Sequence, residues 1–163
     1  MKTSISVIKI LATLGLVLAA SAAGAQSWKL NCTNMGANIA EPLKDREGHR
    51  VSAQTAGCIH EGGGAIDGAV STQGVIWEMD ANGGKLLSGD GVSRKLGVIS
   101  VVKITEGTLA WVMKDGKVVG WTAEGKAVFT LAVDGAAELA GKSFSWKSRP
   151  TGPRSYVSEM TMD

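Results

Sequence analysis

The chain has 163 residues, 44% of them hydrophobic, with 17 basic and 15 acidic side chains. That is enough chain for one domain with a buried core, without a cofactor or metal to hold it together. The near balance of charge excludes an electrostatic drive toward nucleic acid or an anionic membrane surface.

The N-terminus reads as an export signal. Lys2 supplies a positive start, Ile10 to Ala20 is a short apolar run broken only by Thr13 and Gly15, and Ala23-Gly24-Ala25 offers small residues where a signal peptidase reads. Cleavage is expected after Ala25. The run is shorter than the roughly 20 apolar residues that cross a bilayer, so no membrane span is expected. No cysteine follows the cleavage site for lipid attachment. The expected product is a single periplasmic or secreted domain over residues 26–163. Lys2 and Lys9 leave with the signal, so that domain carries 15 basic against 15 acidic residues.

Cys32 and Cys58 are the only cysteines. In an oxidising compartment an isolated pair is most simply one disulfide. Closing a loop of this length removes unfolded-state entropy worth about 3.5 kcal/mol at the upper end. A redox-active pair would need the Cys-x-x-Cys spacing that lowers a thiol pKa, and that spacing is missing.

Short runs rich in Val, Ile, Thr and Trp, separated by glycines, then follow in the manner of antiparallel strands. Ser27 to Cys32 is the first candidate. Residues 34–48 look irregular, with Pro42 and the charged stretch Lys44 to Glu47. His49 to Glu61 alternates loosely, and Val70 to Asp80 places Val75, Trp77 and Met79 on one face. Asn82-Gly83 suggests a tight hairpin turn, because both residues tolerate positive φ. Lys85 to Arg94 and Val98 to Thr105 are strands, with a turn at Glu106-Gly107. Thr108 to Lys114 turns at Asp115-Gly116 into Lys117 to Ala123, and Glu124-Gly125 turns into Lys126 to Val133. Ala136 to Ala140 is one helical turn or a loop. Lys142 to Ser148 and Arg154 to Thr161 close the chain. No segment after the signal sustains a helical apolar period.

The predicted fold is therefore all-β, a small antiparallel up-and-down barrel of about eight strands, since closure removes both exposed edges. A two-sheet sandwich is the alternative. An outer-membrane barrel would need an unbroken lipid-facing band and aromatic girdles. One tyrosine, short strands, and Lys103 and Lys117 on candidate apolar faces argue against it.

No chemistry is written in a motif. His49 and His60 could form a zinc site with Glu61 or Asp45, but they lack helical spacing, and strand-edge histidines account for them. No metal is expected. The glycine clusters complete neither a dinucleotide fingerprint nor a P-loop, so no cofactor is expected and turns explain them. Glu78 and Asp80 lie opposite the Trp77 face. In a polar lumen Glu78 would instead point inward beside Arg94 of the next strand.

Trp28, Trp77, Trp111, Trp121 and Trp146 each fall in a strand candidate. Core packing is the ordinary role of such residues, and the functional alternative is the wall of an apolar cavity. The candidate ligand-binding residues are accordingly Trp77, Glu78, Arg94, Trp111 and Trp121. In strand count the architecture resembles lipocalin-like and allene-oxide-cyclase-like barrels; no motif is matched, so the likeness transfers no residue. The leading expectation is a non-enzymatic exported barrel that binds a small apolar or amphipathic ligand or serves as a structural module. One alternative is a barrel enzyme of cyclase or isomerase type built on Glu78 and Arg94. The other is a protein-binding module using the 34–50 loop.

Overall fold

A computed structural model describes residues 26–163, and the export signal read over residues 1–25 lies outside the described residues. Eight antiparallel strands follow one another around a closed barrel. They are β1 (Ser27–Pro42), β2 (Arg50–Gly62), β3 (Val70–Asp80), β4 (Gly83–Lys95), β5 (Val98–Lys114), β6 (Lys117–Asp134), β7 (Ser143–Pro150) and β8 (Ser155–Met162). β8 returns to β1, pairing Met160 with Trp28 and Ser158 with Leu30. The sheet therefore has no free edge over this stretch, and the sandwich alternative falls away.

Side-chain alternation divides the wall into an inner and an outer face. Trp28, Leu30 and Cys32 on β1 turn inward, as do Ser52, Ala56, Cys58 and His60 on β2 and Ser71, Trp77 and Met79 on β3. One end of the barrel is plugged. Trp28 packs edge-on against Phe144 with ring centroids 5.2 Å apart, and Phe144 lies 5.1 Å from Phe129. Two 3-10 turns, Gly64–Ile66 and Ala137–Leu139, fold Ile66 and Leu139 onto this plug. The second occupies the segment where the sequence suggested one helical turn or a loop.

Several predicted boundaries are corrected. Residues 34–42 are not irregular but continue β1, pairing with β2 across a shift of register between Met35 and Ile39. The β8 partner stops at Thr33, so this extension pairs on one side only, and Pro42 ends it at no cost to a second ladder. Glu106-Gly107 and Glu124-Gly125 are not turns. They lie inside β5 and β6, with Gly107 opposite Gly125, so four predicted strands are two long ones of 17 and 18 residues. The strands are thus not uniformly short. At Asp80–Gly83 the turn residues are Ala81 and Asn82, neither with positive φ, and the Asn82 N–H donates to Asp80 Oδ1 at 2.8 Å. The Asp115-Gly116 turn is as read, with φ of 50° and 72°.

Cys32 and Cys58 are directly opposed on β1 and β2, with Cα atoms 4.1 Å apart, and are joined by a disulfide. Both side chains face the interior.

Candidate functional site

The end of the barrel opposite the aromatic plug is hollow. A cavity of about 370 Å³ lies within the strands. Its wall includes Val75, Val102, Ile104, Leu109, Trp111 and Trp121, each only partly buried because the lumen gives it room. The mouth is bordered by Asn38 and Ala40 from the extension of β1 and by Arg50 at the start of β2. The long β5–β6 hairpin raises the wall on the other side, whereas β7 and β8 have eight residues each.

Several of the polar groups on the wall are engaged with one another. The Gln73 side-chain amide donates to the Tyr156 hydroxyl and approaches both disulfide sulfurs, 3.2 Å from Cys58 Sγ and 3.4 Å from Cys32 Sγ. Burial pushes the Tyr156 phenol up to about 12, a shift the Gln73 hydrogen bond partly opposes, so it stays neutral near pH 7. Ser148 and Ser158 share a hydrogen bond of 2.6 Å. His60 Nε2 lies 2.8 Å from Ser93 Oγ, and burial, with Lys95 nearby, pushes its pKa down to about 4. The imidazole is therefore neutral.

Two inner glycines let the indoles pack close against the wall. A Cβ on Gly125 would sit 2.8 Å from Trp146 Cζ2, and one on Gly107 would sit 3.2 Å from both Trp146 Cζ2 and Trp77 Cη2. Trp111 is held at the rim by its indole N–H, which donates to the Asp80 carbonyl at 2.9 Å. The Arg50 guanidinium lies over the Trp111 ring, 5.6 Å from its centroid.

Of the five ligand-binding residues read from sequence, Trp77, Trp111 and Trp121 line this cavity together. Glu78 and Arg94 do not. Glu78 faces outward, paired in register with Lys85 and Val51, while Arg94 is exposed at the far end of the β3–β4 hairpin opposite Val70. They are not lumen neighbours, so the placement on which the cyclase reading stood is not found. Alternation alone decides this: Trp77 and Met79 occupy the inner face, which sends Glu78 out.

Glu78 instead belongs to a cluster at the rim. His49 Nε2 lies 2.9 Å from Glu78 Oε1 and its Nδ1 meets Asp45, while Arg46 binds Glu78 at 3.1 Å and Asp80 at 3.4 Å. The hydrogen bond to Asp45 raises the His49 pKa most; burial opposes it, and the hydrogen bond to Glu78 adds to the rise. Hydrogen bonding to His49, joined at Glu78 by Arg46, lowers the carboxyls of Asp45 and Glu78. The cluster ties the connection 43–49 down onto β3. That connection, with 34–42 now in a strand, is all that remains of the predicted recognition loop. His49 lies in this cluster and His60 at the other end of β2, roughly 35 Å along the strand, so the two share no site.

Gln73, Tyr156 and Arg50 were not anticipated as lumen residues. Gln73 is two positions before Val75 on the same face, and Tyr156 is the only tyrosine, so a polar signal was present for both.

No family model, curated protein or solved structure matches the chain.

Proposed function

We propose that the protein is an exported barrel that binds a small apolar or amphipathic molecule in its lumen. The observation that carries this reading is the cavity of about 370 Å³ lined by tryptophans and aliphatic side chains. Small-molecule sites are concave and mostly apolar with a few placed polar groups, and span about 300–1,000 Å³. A barrel built for stability alone fills an eight-stranded interior with side chains. On the outer face, Lys147 pairs with Glu124 at 3.4 Å and Arg149 with Glu159 at 3.8 Å across adjacent strands, which interrupts any apolar band over β6 to β8. Among the described residues no helix is long and apolar enough to cross a membrane. The export signal and the disulfide support a periplasmic or secreted location.

Titration with a neutral apolar fluorophore, N-phenyl-1-naphthylamine, tests the reading. Saturable 1:1 binding with energy transfer from tryptophan is expected. Val75→Trp, which fills the lumen, is expected to weaken it about tenfold or more while the variant still melts cooperatively. Absence of saturable binding to the wild type would overturn the reading and leave the structural-module role.

A further inference from the structure

We propose that the lumen takes an amphipathic carboxylate, its apolar body against Trp111, Trp121, Val75 and Leu109 and its carboxylate on Arg50 at the mouth. The proposal rests on the lumen reading above and adds the ligand's charge and orientation.

The observation behind it is that Arg50, of the arginines among the described residues, is the one that borders the cavity. Arg46 spends its guanidinium on Asp45, Glu78 and Asp80 outside the barrel. Lys147 and Arg149 have outer-face carboxylates as well. Arg50 stands opposite Met79, and because Met79 is buried on the inner face, the pleat turns Arg50 toward the lumen too. There it meets no carboxylate among the described residues. Its Nη1 donates to the Gly48 carbonyl at 3.3 Å, and its plane lies over Trp111.

A guanidinium carries five N–H donors in a fixed fork, so one bond to Gly48 leaves most of that capacity free. Its weak hydration lets it rest on an indole face where an ammonium would keep its water. Trp111 is a firm platform, because its own N–H is committed to Asp80. The arrangement presents a planar cation at the entrance of an apolar cavity, which suits bidentate contact with a carboxylate. The other charged residue that borders the cavity, Asp90, is exposed and stands opposite Lys103 on the outer face. Deeper in, His60 is neutral and Gln73, Tyr156, Ser148 and Ser158 are uncharged, so no second ion asks for a partner inside. A cavity of this size, at the low end of the ligand-site range, fits one acyl chain or a compact ring system in preference to a two-chain lipid.

The test compares three ten-carbon chains that differ only in the head: decanoate, 1-decanol and decyltrimethylammonium. Affinities are measured by tryptophan fluorescence and calorimetry at neutral pH. Wild-type protein is expected to bind decanoate about tenfold or more tightly than decanol, and to bind the cation least. Arg50→Gln is expected to bring decanoate and decanol within about twofold of each other. Equal binding of all three chains by the wild type would overturn the carboxylate while leaving the lumen site standing. Failure of decanol, decanoate and the neutral fluorophore alike would remove both. The wild-type series needs no variant, so a poorly folded Arg50→Gln protein would not prevent a decision.

Discussion

His49 and His60 show how little a residue's identity says before its surroundings are known. In the sequence they are two histidines eleven residues apart, equally open to a shared metal. In the barrel they have opposite electrostatics. His60 is buried, and its pKa of about 4 lies below the ordinary 6.5, so the folded protein holds it neutral. Its contribution is complete above pH 6.5 and is lost as pH falls toward 4, by up to about 3 kcal/mol. His49 is raised by Asp45 and Glu78, so its contribution is present below 6.5 and is lost as pH rises through the raised value. The lowered carboxyls of Asp45, Glu78 and Asp80 weaken the fold only below their unfolded values, a more acid window. Denaturant melts between pH 7 and 4.5 should therefore separate the two. His60→Gln is expected to flatten the loss of stability across that range. His49→Gln is expected to destabilise most at its acid end. An unchanged slope in His60→Gln would mean that His60 is charged in the folded protein.

At the level of elements, the strand alternation was legible, and two turns were misread for a physical reason. Glu-Gly marks a turn when glycine supplies a positive φ, and Asp115-Gly116 does this at 50° and 72°. Neither Gly107 nor Gly125 has a positive φ. They are glycines because there is no room for a Cβ, which at Gly125 would lie 1.9 Å from the Glu106 carbonyl oxygen and 2.8 Å from Trp146 Cζ2. A dipeptide cannot say which cause applies, since the second depends on an indole from β7. The causes separate by mutation. Gly125→Ala must displace backbone or Trp146, and is expected to cost about 2–3 kcal/mol. Gly116→Ala meets no atom within 4 Å and suffers only its left-handed φ, so about 1 kcal/mol is expected. Chemical denaturation with near-ultraviolet dichroism as a second readout checks both. A Gly125→Ala protein as stable as the wild type, with an unchanged tryptophan spectrum, would contradict the packing of Trp146 on this glycine.

For the whole molecule, closure was legible because a meander without sustained helical periodicity must dispose of two edges. The filling of the lumen was not, because the aromatic residues of the wall and those of the plug read alike along the chain. The barrel also governs what the disulfide can contribute. β1 is held by β2 from Trp28 to Pro42 and by β8 from Ser27 to Thr33, so the Cys32–Cys58 bridge reinforces a strand already paired on both sides. Its effect then falls chiefly on the unfolded chain, at up to about 3.5 kcal/mol. Reduced protein, or the Cys32→Ala, Cys58→Ala double variant, is expected to keep the far-ultraviolet spectrum of the barrel while melting on the order of 10 °C lower. Protein purified under oxidising conditions and denatured without reductant should show no titratable thiol. Because both sulfurs face inward under the Gln73 amide, reduction of the native protein should also be slow and should quicken as denaturant opens the wall. Loss of the folded spectrum on reduction would mean that strand pairing alone does not close the barrel, and that the bridge holds β1 in place.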